Sequence, residues 1–190
     1  MICILSNRLV DYLERCLCLK EDKEIYIYGA ELLISSMIST VLLLFIGFVS
    51  HHFVEAIIYE ILISSSRSIL GGYHCKNYYT CIFSYLIIFM SDLLFIQYFI
   101  ININQLIFIE ILGLLVTILN CPIDNINKKC TLKKRKIFKG YSVFYITIYI
   151  IIMNIMFLFH IKYIQIIIYI FININILTLG GRLNYEIYQR

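Results

Sequence analysis

"LLISSMISTVLLLFIGFVS", residues 32–50, decides the fold class, because it is an apolar run of about twenty residues with no charge in it. As a helix, a run of that length crosses the ~30 Å hydrocarbon layer of a bilayer. Working outward, comparable apolar segments lie at about 53–70, 81–100, 104–119, 141–160 and 163–179. The second of the six segments carries Glu55 and Glu60 and the fourth is short, so both are expected to tilt or to be partly shielded by protein. Over the 190 residues, 61% are hydrophobic and 15% charged, against about a quarter charged in a soluble domain. The sequence predicts an all-α integral membrane protein with about six transmembrane helices.

Residues 1–31 read differently. Ile4, Leu5, Leu9, Tyr12, Leu13, Cys16 and Leu17 recur at three- and four-residue steps, with Arg8, Asp11, Glu14 and Arg15 on the other side. This is the pattern of an amphipathic helix, suited either to the membrane surface or to packing on the bundle. Charges interrupt its apolar part, so it is not expected to act as a secretory signal. The expected organisation is an interfacial helix at 1–31, a polytopic bundle at 32–179, and a cytoplasmic tail at 180–190.

Orientation follows from Lys and Arg. The joint at 120–140 carries Lys128, Lys129, Lys133, Lys134, Arg135, Lys136 and Lys139, whereas the joints near 51–52 and 101–103 carry none. The positive-inside rule puts the basic joint in the cytoplasm. An even number of crossings then puts both termini and the 67–80 segment there too. Seven Cys, at 3, 16, 18, 75, 81, 121 and 130, form no paired framework, and most would face a compartment that keeps thiols reduced.

One polar segment stands out at that cytoplasmic mouth: "RSILGGYHCKNYYTC", residues 67–81. Gly71-Gly72 weakens a helix by roughly 1 kcal/mol per residue, so the second span is expected to end there. On one continuous helix His74 and Cys81 would be about 10 Å apart along the axis. Proton transfer needs about 3 Å, so if they cooperate the chain bends between them. A thiol attacks peptide carbonyls when an imidazole takes its proton and later protonates the leaving amine. The start of the third helix suits such a nucleophile, because unpaired N–H groups and a partial positive charge favour an anion there and could stabilise an oxyanion. The alternatives are a free thiol in an apolar core, and a zinc site gathered from His51, His52, His74, Cys75 and Cys81. The topology separates His51 and His52 from His74, and no HExxH or paired CxxC exists, so no metal and no cofactor is expected. No third member of a triad stands out: Glu55, Glu60 and Asn77 are candidates.

At these residues the chain resembles the accessory gene regulator B (AgrB) family of quorum-sensing membrane peptidases. The resemblance is carried by Arg67, Gly71-Gly72, Tyr73-His74 and Cys81, and by "CPIDNINKKCTLKKRKIFK" at 121–139, which is similar to the family's Pro-x-Asp…Asn-Lys loop and basic run. It implies a cysteine endopeptidase with His74 and Cys81 as the catalytic pair. That enzyme would remove the C-terminal tail of an AgrD-like precursor through an acyl-enzyme, which an internal Cys or Ser resolves into a thiolactone or lactone. It also implies a homodimer. Cys75, beside the His, departs from the small residue usual in the family.

Supporting roles have bland counterparts. Arg67 could hold a precursor carboxylate, snorkel to lipid phosphate, or pair with Glu60 on the same helix face. The cluster Lys128, Lys129, Lys133, Lys134 and Arg135 could recruit an acidic precursor tail, or fix topology and attract inner-leaflet anionic lipid. No nucleic-acid partner is expected. Asp92 and Glu110 fall inside spans, where ionisable groups are costly. They support the alternative function, a non-enzymatic transporter lined by Asp92 and Glu110, or a scaffold docking through the basic joint.

Overall fold

The computed structural model describes residues 2–16, 23–71, 77–121 and 132–189. Among them are seven helices and no strand: α1 (Ile2–Cys16), α2 (Lys23–Val49), α3 (Phe53–Leu70), α4 (Tyr78–Tyr98), α5 (Ile103–Asn120), α6 (Leu132–Leu158) and α7 (Ile164–Gln189). Five of them, α2, α4, α5, α6 and α7, are long and apolar enough to cross a membrane. Their outward faces carry Phe45, Phe48, Phe83, Leu94, Phe108, Phe144 and Ile151, all exposed. So continuous an apolar exterior is compatible with lipid as its solvent. The chain is a multi-pass, all-α membrane protein.

α3 carries three ionisable residues, Glu55, Glu60 and Arg67. It nevertheless runs the length of the bundle between α2 and α4, as one contact shows. The Tyr78 hydroxyl at the start of α4 donates to Glu31 Oε2 at 2.9 Å, so α2 and α4 begin at the same end of the bundle. α3 must therefore carry the chain back across. At this near end also lies the start of α6, where Ser142 Oγ donates to Ile69 O at 3.3 Å. At the far end, Ile101 N–H donates to Gln165 Oε1 at 3.0 Å and joins the α4–α5 connection to the start of α7. α5 opens there on Asn102, whose N–H is accepted by Gln105 Oε1 at 3.0 Å, half of a capping box.

The core is built around α7, which packs on α3, α4, α5 and α6. Ile166, Ile167, Ile168, Ile170, Phe171 and Ile174 are all buried, so this helix is enclosed on nearly every side. α2 packs on α1, α3 and α4.

Three boundaries differ from expectation. The amphipathic helix ends at Cys16, and α2 begins at Lys23, ahead of the apolar run, where Lys23 also pairs with Asp11 and Glu14 of α1. Part of the basic joint, from Leu132 onward, is the first turns of α6 rather than loop. The expected tail at 180–190 is a continuation of α7 to Gln189, running through Gly180-Gly181, with Gly181 buried.

Candidate functional site

The near end of the bundle carries Arg67, Gly71 and Cys81, with the start of α6 beside them. α3 stops at Leu70, and Gly71 follows with φ 75° and ψ −166°, a backbone region open essentially to glycine alone. The expected helix end at Gly71 is therefore present, for the reason given. Gly72, His74 and Cys75 lie outside the described residues, as do Lys128 and Lys129. Asn77 is the N-cap of α4 and makes no side-chain cap bond.

Cys81 sits in the first turn of α4, half-buried and free. Its N–H donates to Asn77 O at 3.2 Å, the first bond of the helical ladder. The N–H groups ahead of it are those a helix start leaves without an intrahelical partner. Arg67 occupies the last turn of α3, where the helix dipole favours a cation. Lys133 and Lys134 fall in the first turn of α6, followed by the half-buried Arg135.

Beneath Cys81 the polar groups are paired. Glu60 accepts from Tyr85 OH on α4 at 2.6 Å and from Thr40 Oγ1 on α2 at 2.8 Å. Tyr85 follows Cys81 by one helical turn on the same face. Tyr59, fully buried, lies between Tyr85 and Phe89 with ring centroids 5.2 and 5.1 Å apart. Ser65 and Tyr145 join α3 to α6 at 2.9 Å. Of the candidate third members, Glu55 is at the opposite end of α3, 3.2 Å from His52 Nδ1. It stands about 24 Å along the helix from Gly71 and cannot orient a group beside it. Sequence reasoning had Glu60 but not Tyr85, Thr40 or the Tyr78–Glu31 pair. The available signal was two tyrosines at three- and four-residue steps on either side of Cys81.

Other thiols contrast with Cys81. Cys121, at the end of α5, is buried, and burial pushes its thiol up to about 12. Its burial makes it a packing residue. Cys3 is exposed on α1.

The intramembrane carboxylates sit deeper. Both Asp92 oxygens accept from Asn173 Nδ2, at 2.9 and 2.7 Å, joining α4 to α7. Glu110 accepts from Asn154 Nδ2 at 2.7 Å, joining α5 to α6. Asp92 also borders a crevice of about 920 Å³ between α4, α5 and α7, walled by Phe95, Phe108 and Tyr169 and opening toward the far end.

The family described as AgrB, Accessory gene regulator B, matches residues 6–179. A curated AgrB-like protein from Clostridium beijerinckii is 31% identical over 156 residues, covering 80% of this chain and 76% of the relative. No solved structure matches. The match spans every helix from α1 to α7 and takes in both the 67–81 segment and the basic joint, so the chain belongs to the AgrB family and has a role in agr quorum-sensing peptide processing.

Proposed function

We propose that this chain is the cysteine endopeptidase that matures an AgrD-like precursor, with Cys81 as nucleophile and His74 as its base. The Cys81 sulfur attacks the scissile carbonyl while the His74 imidazole takes the thiol proton. The C–N bond then breaks, and the imidazole returns that proton to the amine of the departing C-terminal tail. The precursor core is left as a thioester on Cys81. An internal Cys or Ser of the precursor attacks this thioester, closes a thiolactone or lactone, and releases Cys81 as a thiol. A half-buried position lets a membrane bundle shield the thioester from water until the internal nucleophile arrives.

One observation carries the reading: in an AgrB-family chain, Cys81 stands half-buried in the first turn of a helix whose preceding connection contains His74, with Arg67 in the last turn of the helix before it. Gly71, which ends α3, and Gly72 after it in sequence are assigned a site-shaping role. Arg67 and the cluster Lys128, Lys129, Lys133, Lys134 and Arg135 are assigned to an acidic precursor tail and to inner-leaflet lipid, the charges that such a run of cations in sequence attracts. The near end, with both termini, faces the cytoplasm, and the working unit is a homodimer.

The test is cleavage of an AgrD-like precursor by the full chain in liposomes. His74→Ala and Cys81→Ala are each expected to abolish cleavage while leaving the thermal unfolding midpoint within a few degrees. Normal processing by Cys81→Ala would overturn the proposal. The crevice beside Asp92 favours a second reading, a transporter, under which Asp92→Asn abolishes function and Cys81→Ala is tolerated.

A further inference from the structure

We infer that Glu31 and Glu60 are positioning residues for Cys81, each gripping one of two tyrosines that straddle it on α4. The inference rests on Cys81 being the nucleophile. Tyr78, Cys81 and Tyr85 follow one another by three and four residues, so they share a stripe of the helix surface. The Tyr78 hydroxyl, one turn before the thiol, donates to Glu31 Oε2 of α2 at 2.9 Å. The Tyr85 hydroxyl, one turn after it, donates to Glu60 Oε2 of α3 at 2.6 Å. Thr40 of α2 donates to the remaining Glu60 oxygen at 2.8 Å, which fixes that carboxylate in turn.

A helix held at one height can still rotate about its axis or slide along it. Two grips, above and below one residue and from two different helices, remove both freedoms. Side-chain atoms stand about 5 Å from a helix axis, so a rotation of about 20° moves a sulfur by nearly 2 Å. Misplacement by about 1 Å can cost about 100-fold in rate. Phenylalanine would fill the tyrosine sites at no polar cost, whereas an intramembrane carboxylate is expensive. What the hydroxyl–carboxyl pairs add is direction, since a hydrogen bond fixes the angle as well as the distance between its partners.

The experiment uses the full chain in liposomes with an AgrD-like precursor, and reads kcat, KM and thermal midpoint. In parallel, the rate of Cys81 alkylation by N-ethylmaleimide is followed peptide by peptide by mass spectrometry. Tyr78→Phe and Tyr85→Phe are each expected to lower kcat about 10- to 100-fold, with KM changed less than about twofold. Glu60→Gln, which keeps an acceptor for Tyr85, is expected to recover most of the kcat lost in Glu60→Ala. Full kcat in both Phe variants, or a loss matched by loss of folded protein, overturns the inference. If Cys81→Ala still processes the precursor, the peptidase reading falls by itself. The alkylation rates then decide the positioning claim: a several-fold change in the Phe variants supports it, and an unchanged rate overturns it.

Discussion

At Gly113 in α5, an added Cβ would stand 2.5 Å from two atoms of the Phe171 ring and 2.8 Å from Asn175 Nδ2 on α7. The ring is fully buried and cannot swing aside, so the glycine is what lets α5 approach the central helix. Gly113→Ala is expected to destabilise the protein by about 1–3 kcal/mol, read as a lowered thermal midpoint in detergent. Asp92 illustrates a different economy of contact. Asp92→Ala strips the partner from Asn173 and is expected to cost about 1 kcal/mol, whereas Asp92→Asn keeps a pairing and costs less. Equal midpoints for the two variants would show that the α4–α7 pair contributes nothing. Neither role was legible in the sequence. Gly113 is one glycine in an apolar run, and Asp92 could be recognised as costly but not matched to Asn173, 81 positions away.

The helix α1 is held to the bundle from two sides. Ile2, Ser6 and Val10 are buried, while Leu5, Leu9 and Tyr12 remain exposed beside them, the arrangement of a helix that both caps α2 and meets lipid. The packing on the bundle, one of the two alternatives that the three- and four-residue steps left open, is thus present as α1 against α2. Lys23 at the start of α2 closes the corner, 2.8 Å from Asp11 Oδ1 and 2.7 Å from Glu14 Oε2. The Lys23 hydrogen bond holds the Asp11 carboxyl below its ordinary 3.8. A lowered carboxylate contributes above its unfolded value, and the contribution is lost as pH falls through the lowered one. Undocking of α1 in acid is therefore expected only below about pH 4. Lys23→Ala is expected to lower the protection of α1 amides severalfold at neutral pH, relative to their intrinsic exchange, and to remove the difference in protection between neutral and acid. The corner pairs residues on two helices, which periodicity along one helix cannot reveal.

At the scale of the molecule, the six long helices alternate in direction, with Cys81, Arg67 and the basic start of α6 at the near end and His51, His52 and His160 at the far end. A cytoplasmic near end makes a plain prediction for labelling intact cells with an impermeant maleimide. Asn102→Cys, exposed at the far end, should react from outside, whereas Lys136→Cys should react only after permeabilisation. The reverse pattern would invert the orientation and place the candidate site outside.

Composition and apolar run length were enough for a helical membrane bundle, because lipid imposes a one-dimensional demand that a single segment either meets or fails. The break at Gly71 was equally legible, since it depends on one residue's backbone. What waited for the tertiary structure was partnership: Tyr78 with Glu31, Tyr85 and Thr40 with Glu60, Asp92 with Asn173, Gly113 against Phe171. Inside a bilayer the outward face of every helix looks alike in sequence. Which polar side chain meets which is decided by the rotation and height of each helix against its neighbours, and no single helix contains that information.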